Sequence, residues 1–177
     1  MDFETLKQQI EEAAKKAFLE MYEKHGAENI YSFALYSDEG AMTVCPSSNT
    51  VETLKEIDED DAVYYKYEPA EWTYEMEGAD QDFNEICTHL RTELDQHEED
   101  DEWFQQFQAK LYTSCIEVLE KLKNENFFKN TIGKDIFLIF TVSDYEFEKQ
   151  DLKDIIIRLN DNEYKSEYLE WMETWGN

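Results

Sequence analysis

A chain of 177 residues with 41% hydrophobic and 15% aromatic side chains can bury one proper core, which argues against the disordered chain that its acidity would otherwise suggest. Its 43 acidic and 16 basic residues leave a net charge of −27. A field of that sign repels nucleic acid and anionic membranes and attracts basic partners, so direct binding to DNA or RNA is not expected.

The charge is unevenly spread. Residues 56–102 hold 19 acids against two bases, Lys66 and Arg91, for a net of −17, while the other 130 residues carry only −10. Solubility explains such a surplus as readily as a basic partner does.

In chain order, Phe3, Leu6, Ile10, Ala13, Ala14, Ala17, Phe18 and Met21 recur at helical steps and predict a helix over 2–24, with Gly26 as its C-cap. IYSFALY (30–36) and AMTVCP (41–46) read as two strands about the turn SDEG (37–40), a hairpin that Pro46 should end because it cannot donate to the ladder. NTVE (49–52) has capping-box spacing, with Asn49 as N-cap of a short helix reaching about Ile57. EIDEDD (56–61) is an acidic loop. AVYYKYEP (62–69) resembles a strand, and AEWTYEME (70–77) alternates Trp72, Tyr74 and Met76 against polar residues, as a strand or extended segment does.

Helical spacing returns through Ala79, Phe83, Ile86, Cys87, Leu90 and Leu94. DQHEEDDEWFQQF (95–107) then sets six carboxylates beside three aromatics. Asp100 suits the N-cap of a helix over 101–124, with Asp101 and Glu102 in the first turn where the dipole favours negative charge. Glu98, Glu99 and Asp101 remain a surplus, similar to the acidic run at 58–61. After a polar break at 124–133, DIFLIFTVSD (135–144) reads as a central strand covered on both faces. Helices over 148–159 and 163–175 follow, separated by Asn160-Asp161-Asn162. No linker or repeat divides the chain. The expectation is a single α+β domain over 1–177, helices packed on a small, mostly antiparallel sheet with one central apolar strand.

Chemical motifs are sparse. Cys45, Cys87 and Cys115 are too few and too widely spaced for a disulfide framework or a zinc site. Cys87 and His89, two apart on one helix, point away from each other and form no nucleophile–base pair. HExxH, calcium-loop and phosphate-cradle patterns are absent, and 43 carboxylates make any single acid pair uninformative. The expected catalytic, cofactor and metal residues are therefore none. MDFETLKQQ lacks the pattern of a signal peptide and no apolar run approaches a membrane span, so the expected setting is the cytoplasm, with no membrane partner. Tyr64, Tyr65, Tyr67, Trp72 and Tyr74 cluster in the acidic segment, as core packing or as a recognition surface.

Three runs, YSFALYSDEGAMTVCPSSNT (31–50), YYKYEPAEWTYE (64–75) and DIFLIFTVSD (135–144), resemble a bacterial family known as domain of unknown function 4303. The resemblance follows the order of that family along nearly the full length. It implies no catalytic residues, because the family carries no established activity. Its small acidic members are similar in style to immunity proteins of bacterial toxin systems. The leading expectation is a binding protein without catalysis, holding a basic protein partner through Asp58, Glu59, Asp60, Asp61, Trp72, Tyr74, Glu98, Glu99 and Asp101. The alternatives are an enzyme with a carboxylate-based or metal-assisted site, and a housekeeping domain that is acidic for solubility.

Overall fold

The structure, a computed structural model, describes residues 1–97, 99–143 and 147–175. Its helices are α1 (Phe3–His25), α2 (Val51–Leu54), α3 (Ala62–Tyr67), α4 (Asp80–Asp95), α5 (Asp101–Asn124), α6 (Phe127–Ile132), α7 (Lys149–Leu159) and α8 (Glu163–Glu173). The strands are β1 (Ile30–Asp38), β2 (Val44–Thr50), β3 (Tyr74–Glu75) and β4 (Phe137–Ser143), in the order β3-β2-β1-β4. β1 pairs antiparallel with β2 and parallel with β4, and β2 pairs antiparallel with β3. The α+β class holds, with a mixed sheet.

Alternation along the strands divides the interior in two. Phe33, Leu35, Val44, Leu138, Phe140 and Val142 face a large core completed by α1, α4, α5 and α6. Ala34, Phe137 and Ile139 face a smaller one, closed by Tyr67, Trp72, Tyr168 and Met172. The large core centres on Phe18, whose ring meets Phe33 at 5.7 Å and Phe128 at 4.8 Å, both edge to face. Gly78 lets the chain enter α4 close against α1: its φ is +96°, and a Cβ there would meet the Ala17 backbone at 2.8 Å.

Five local expectations need correction. The apolar strand β4 is not central but lies at the sheet edge. It reads as buried because helices cover both faces and α7 covers the edge, sending Ile155 and Leu159 to the large core and Ile156 to the small one. The Asn160 side chain takes the hydrogen-bond positions of a missing neighbour, accepting from Leu138 N at 2.9 Å and donating to Leu138 O at 2.7 Å.

Residues 62–69 are not a strand. Residues 62–67 form α3, and Pro69 then forces the preceding residue extended. Strand preference in Tyr and Val follows from packing, and here Tyr67 packs from a helix against Phe137 of β4 and Tyr168 of α8. The alternation over 70–77 shrinks to two paired residues, because the 3-10 turn Pro69–Glu71 sends Trp72 to the small core and leaves Tyr74 against the large one.

Pro46 does not end β2, which runs four residues further. Its carbonyl accepts from Met76 N, so its missing N–H also faces the β3 side, where the ladder is only starting. The cap of α2 is Thr50, whose hydroxyl accepts from Thr53 N; Asn49 is buried one residue earlier.

Candidate interaction surface

A buried polar node fixes α3 on the sheet. The Tyr31 hydroxyl donates to Lys66 O at 2.9 Å, and the Trp72 indole N–H donates to the same carbonyl at 3.3 Å. Asn49 Nδ2 donates to the Tyr31 hydroxyl at 3.2 Å, while Asn49 Oδ1 accepts from Thr53 Oγ1 at 2.6 Å. A carbonyl near the end of a helix has no intrahelical donor, so these side chains supply what α3 lacks. Tyr31 and Asn49 of one motif run (31–50) and Trp72 of another (64–75) build one network: Tyr31 and Trp72 share the Lys66 carbonyl, and Asn49 holds the Tyr31 hydroxyl. Burial pushes the Tyr31 phenol well above its ordinary range and keeps it neutral.

On this base α3 and α8 lie side by side. Their inner residues form a continuous aromatic stack: Tyr67 meets Phe137 at 4.9 Å and Tyr168 at 5.2 Å. The stack continues to the surface. Trp171 lies 6.0 Å from Tyr67, Trp175 4.9 Å from Trp171, and Tyr64 6.4 Å from Trp171. Tyr64 is 44% exposed and Val63 37%, while Tyr65, Trp171 and Trp175 are half-buried. These rings are held from below, so little conformational freedom remains for a partner to remove.

Acid frames the rings. Asp58, Glu59, Asp60 and Asp61 are all exposed and lead directly into α3, with Glu68 and Glu71 at its far end. Burial, followed by the Glu68 and Glu71 carboxylates, pushes the Tyr64 phenol upward, a mark of negative field at the patch. Burial likewise raises Glu68, with the Ala70 N–H opposing it and Glu71 adding to it. Lys66 is engaged by Glu167 at 2.6 Å and by the rings of Tyr67 and Tyr164 at 5.2 and 5.3 Å. Among the described residues, none of Asp58–Asp61, Glu68 or Glu71 has an ion-pair partner.

The other expected contact residues do not join this face. Trp72 is 3% exposed, a core side chain. Tyr74 sits half-buried on β3, donating to Glu28 and lying 4.1 Å from the His25 ring. Glu99 and Asp101 are exposed, but α5 belongs to the opposite layer; Glu98 lies outside the described residues. Along β1 the two acidic runs also diverge. Gln108 and Tyr112 of α5 donate to the carbonyls of Glu39 and Asp38, just past and at the end of the strand, whereas α3 is anchored by Tyr31 near its start. The sheet thus separates 58–61 from 99–101.

Trp171 and Trp175 escaped the sequence reading. The signal was spacing: Tyr164, Tyr168, Trp171 and Trp175 fall at four-, three- and four-residue steps, a stripe longer than the small core can bury.

Other chemistry is dispersed. His25 is bound by Glu28 and Glu77, His97 stacks on Trp103 at 3.9 Å, and His89 is exposed on α4. Among the described residues no group of three His, Cys, Asp or Glu could hold a metal ion, and no helix is long and apolar enough to cross a membrane. A cleft of about 340 Å³ opens between α5, α6 and the α7–α8 link, but its charges pair with each other, Lys123 with Asp161 at 2.9 Å and Lys129 with Asp135 at 3.0 Å.

No curated protein and no solved structure matches the chain. A family model described as Domain of unknown function (DUF4303) matches residues 10–161, which includes β1, β2, the Tyr31–Asn49–Trp72 node and β4. The chain belongs to the DUF4303 family.

Proposed function

We propose that this protein is a non-catalytic binding protein that holds a basic protein partner on the α3–α8 face. The observation that carries this reading is a rigid, partly exposed aromatic patch, Tyr64, Trp171 and Trp175, directly beside four consecutive exposed carboxylates without ion-pair partners among the described residues. Aromatic rings set on a packed base are the usual anchors of protein interfaces. Unpaired charge around them accelerates encounter with a partner of opposite sign and rejects acidic proteins. An immunity protein that covers the basic surface of a toxin has these requirements, and the cytoplasm, where thiols stay reduced, suits its three free cysteines.

The test is co-purification with the products of adjacent genes, at low and at high salt. Tyr64→Ala with Trp171→Ala should abolish capture at any salt. Neutralising Asp58–Asp61 to the amides should weaken capture at low salt only, and neutralising Glu99, Asp101 and Glu102 should leave it unchanged. Capture that survives the aromatic double substitution would sink the proposal, as would equal sensitivity to the 99–102 changes.

A further inference from the structure

Two sets of rings with a carboxylate lie on the α3–α8 face, and they differ in one respect. In the first, Glu167 accepts from Lys66 Nζ at 2.6 Å, and the same ammonium stands 5.2 Å and 5.3 Å from the ring centres of Tyr67 and Tyr164. A cation held there gains an opposite charge and two π faces together. The second set is built on Glu68. Residues 64 and 68 are one helical turn apart, and the Glu68 N–H donates to Tyr64 O at 2.9 Å, so Glu68 closes α3 on the side of the exposed Tyr64 ring. Trp171 stands 6.4 Å from Tyr64, backed by Tyr67 at 6.0 Å and Trp175 at 4.9 Å. The Glu68 carboxylate is half-buried and weakly tied, its Oε1 accepting from Ala70 N at 3.4 Å. Among the described residues no lysine or arginine pairs with Glu68, and none stands over Tyr64 or Trp171.

Resting on the reading of α3–α8 as the partner face, we propose that this second set is an arginine site: a guanidinium of the basic partner lodges on Glu68, flat against Tyr64 and Trp171. Lysine in the first set shows which charge such a set holds, and the chemistry of the second selects arginine. A guanidinium is planar and stacks on rings, whereas an ammonium is a compact point charge. Its fork matches a carboxylate, of which Glu68 commits only Oε1 to its own chain among the described residues. It is also the more weakly hydrated cation, so entering a half-buried site costs it less. Burial holds the Glu68 carboxyl above its ordinary range, with the Ala70 N–H opposing and Glu71 adding to it. The charge is therefore kept at a cost to the fold, which a bound cation offsets.

The test titrates the intact chain with N-acetylarginine amide and, in parallel, with N-acetyllysine amide, following the indole N–H signals of the four tryptophans by NMR. The arginine probe should move Trp171 and leave the buried Trp72 in place, and the lysine probe should move Trp171 less. Glu68→Gln should abolish the arginine response yet melt at or above the parent at neutral pH, because it removes a charge that burial disfavours. With the partner, Glu68→Gln should weaken capture at least about tenfold, at high salt as well as low. A Trp171 signal unmoved by arginine, an equal response to lysine, an arginine response that survives Glu68→Gln, or a lower melting temperature for that variant would each overturn the site. Capture that needs Tyr64 and Trp171 but survives Glu68→Gln would overturn the arginine site alone. Capture indifferent to all three would overturn the binding face and the site with it.

Discussion

The two sides of the sheet place their ion pairs differently. On the α1–α4–α5 side, ion pairs tie the helices to one another: Glu11 is clasped by Lys15 at 2.6 Å and Lys121 at 2.7 Å, Lys7 joins Glu4 and Glu117, and Lys16 holds Asp82, while the acids at the start of α5 stand apart from any exposed aromatic patch. On the α3–α8 side, Lys66 meets Glu167 while six nearby carboxylates have no ion-pair partner among the described residues. The cores differ in the same sense. The larger is mostly aliphatic with a phenylalanine centre, closed by long helices; the smaller is largely aromatic and runs out to the surface. Matched charge stabilises the fold it belongs to. Unmatched charge beside exposed rings contributes little to that fold and remains available to another molecule.

Substitutions can break this contrast in graded ways. The largest effect should come from Trp72→Ala, which leaves a cavity in the small core and removes one of the two donors to the Lys66 carbonyl; denaturant unfolding should show a loss of about 3–5 kcal/mol. Were Trp72 a partner contact instead, stability would hardly move. Tyr31→Phe should cost about 1–3 kcal/mol, because it leaves the buried Asn49 amide and the Lys66 carbonyl short of a partner. Hydrogen exchange should then rise in α3 and stay low in α5.

Glu11 sharpens the comparison through pH. Burial pushes its carboxyl up, but hydrogen bonds from Lys121 and Lys15 outweigh it and hold the pKa below the ordinary 4.5. A depressed folded pKa adds stability that is complete above the unfolded value and is lost as pH falls through the folded one. Glu11→Gln should therefore melt below the parent at pH 7, with the gap closing as pH drops below about 4.5. A gap that stays constant with pH would show that the charge is not what matters there. The smallest stability change belongs to Tyr64→Ala, within about 1 kcal/mol by calorimetry. The same substitution should weaken partner binding at least about tenfold, roughly 1.4 kcal/mol.

Elements with helical spacing and a cap were legible in the sequence. Asp100 does cap α5, accepting from Trp103 N at 2.9 Å, and Asp101 opens its first turn. So much of the acidic run before Trp103 is helix punctuation. Short aromatic segments were not legible, since Tyr64, Tyr65 and Tyr67 suit a strand or a helix equally until a neighbour chooses. The pairing of Tyr64 with Trp171 joins residues more than a hundred positions apart, and no local pattern encodes it. The acid at 58–61 was visible, but its separation from 99–101 depended on which layer each connection joins, a property of topology rather than composition.

Asn160 carries a consequence for behaviour in concentrated solution. An edge strand as apolar as β4 can recruit a strand from another molecule, and only its unmet N–H and C=O groups invite that. One amide side chain answers Leu138 on both counts. The large net charge keeps copies apart by repulsion, but salt screens that repulsion and leaves the amide in place. Asn160→Leu should stay dispersed at low ionic strength and form β-rich aggregates as salt rises, followed by light scattering, while the parent remains monodisperse. One neutral side chain would then protect the chain from itself under conditions where its charge cannot.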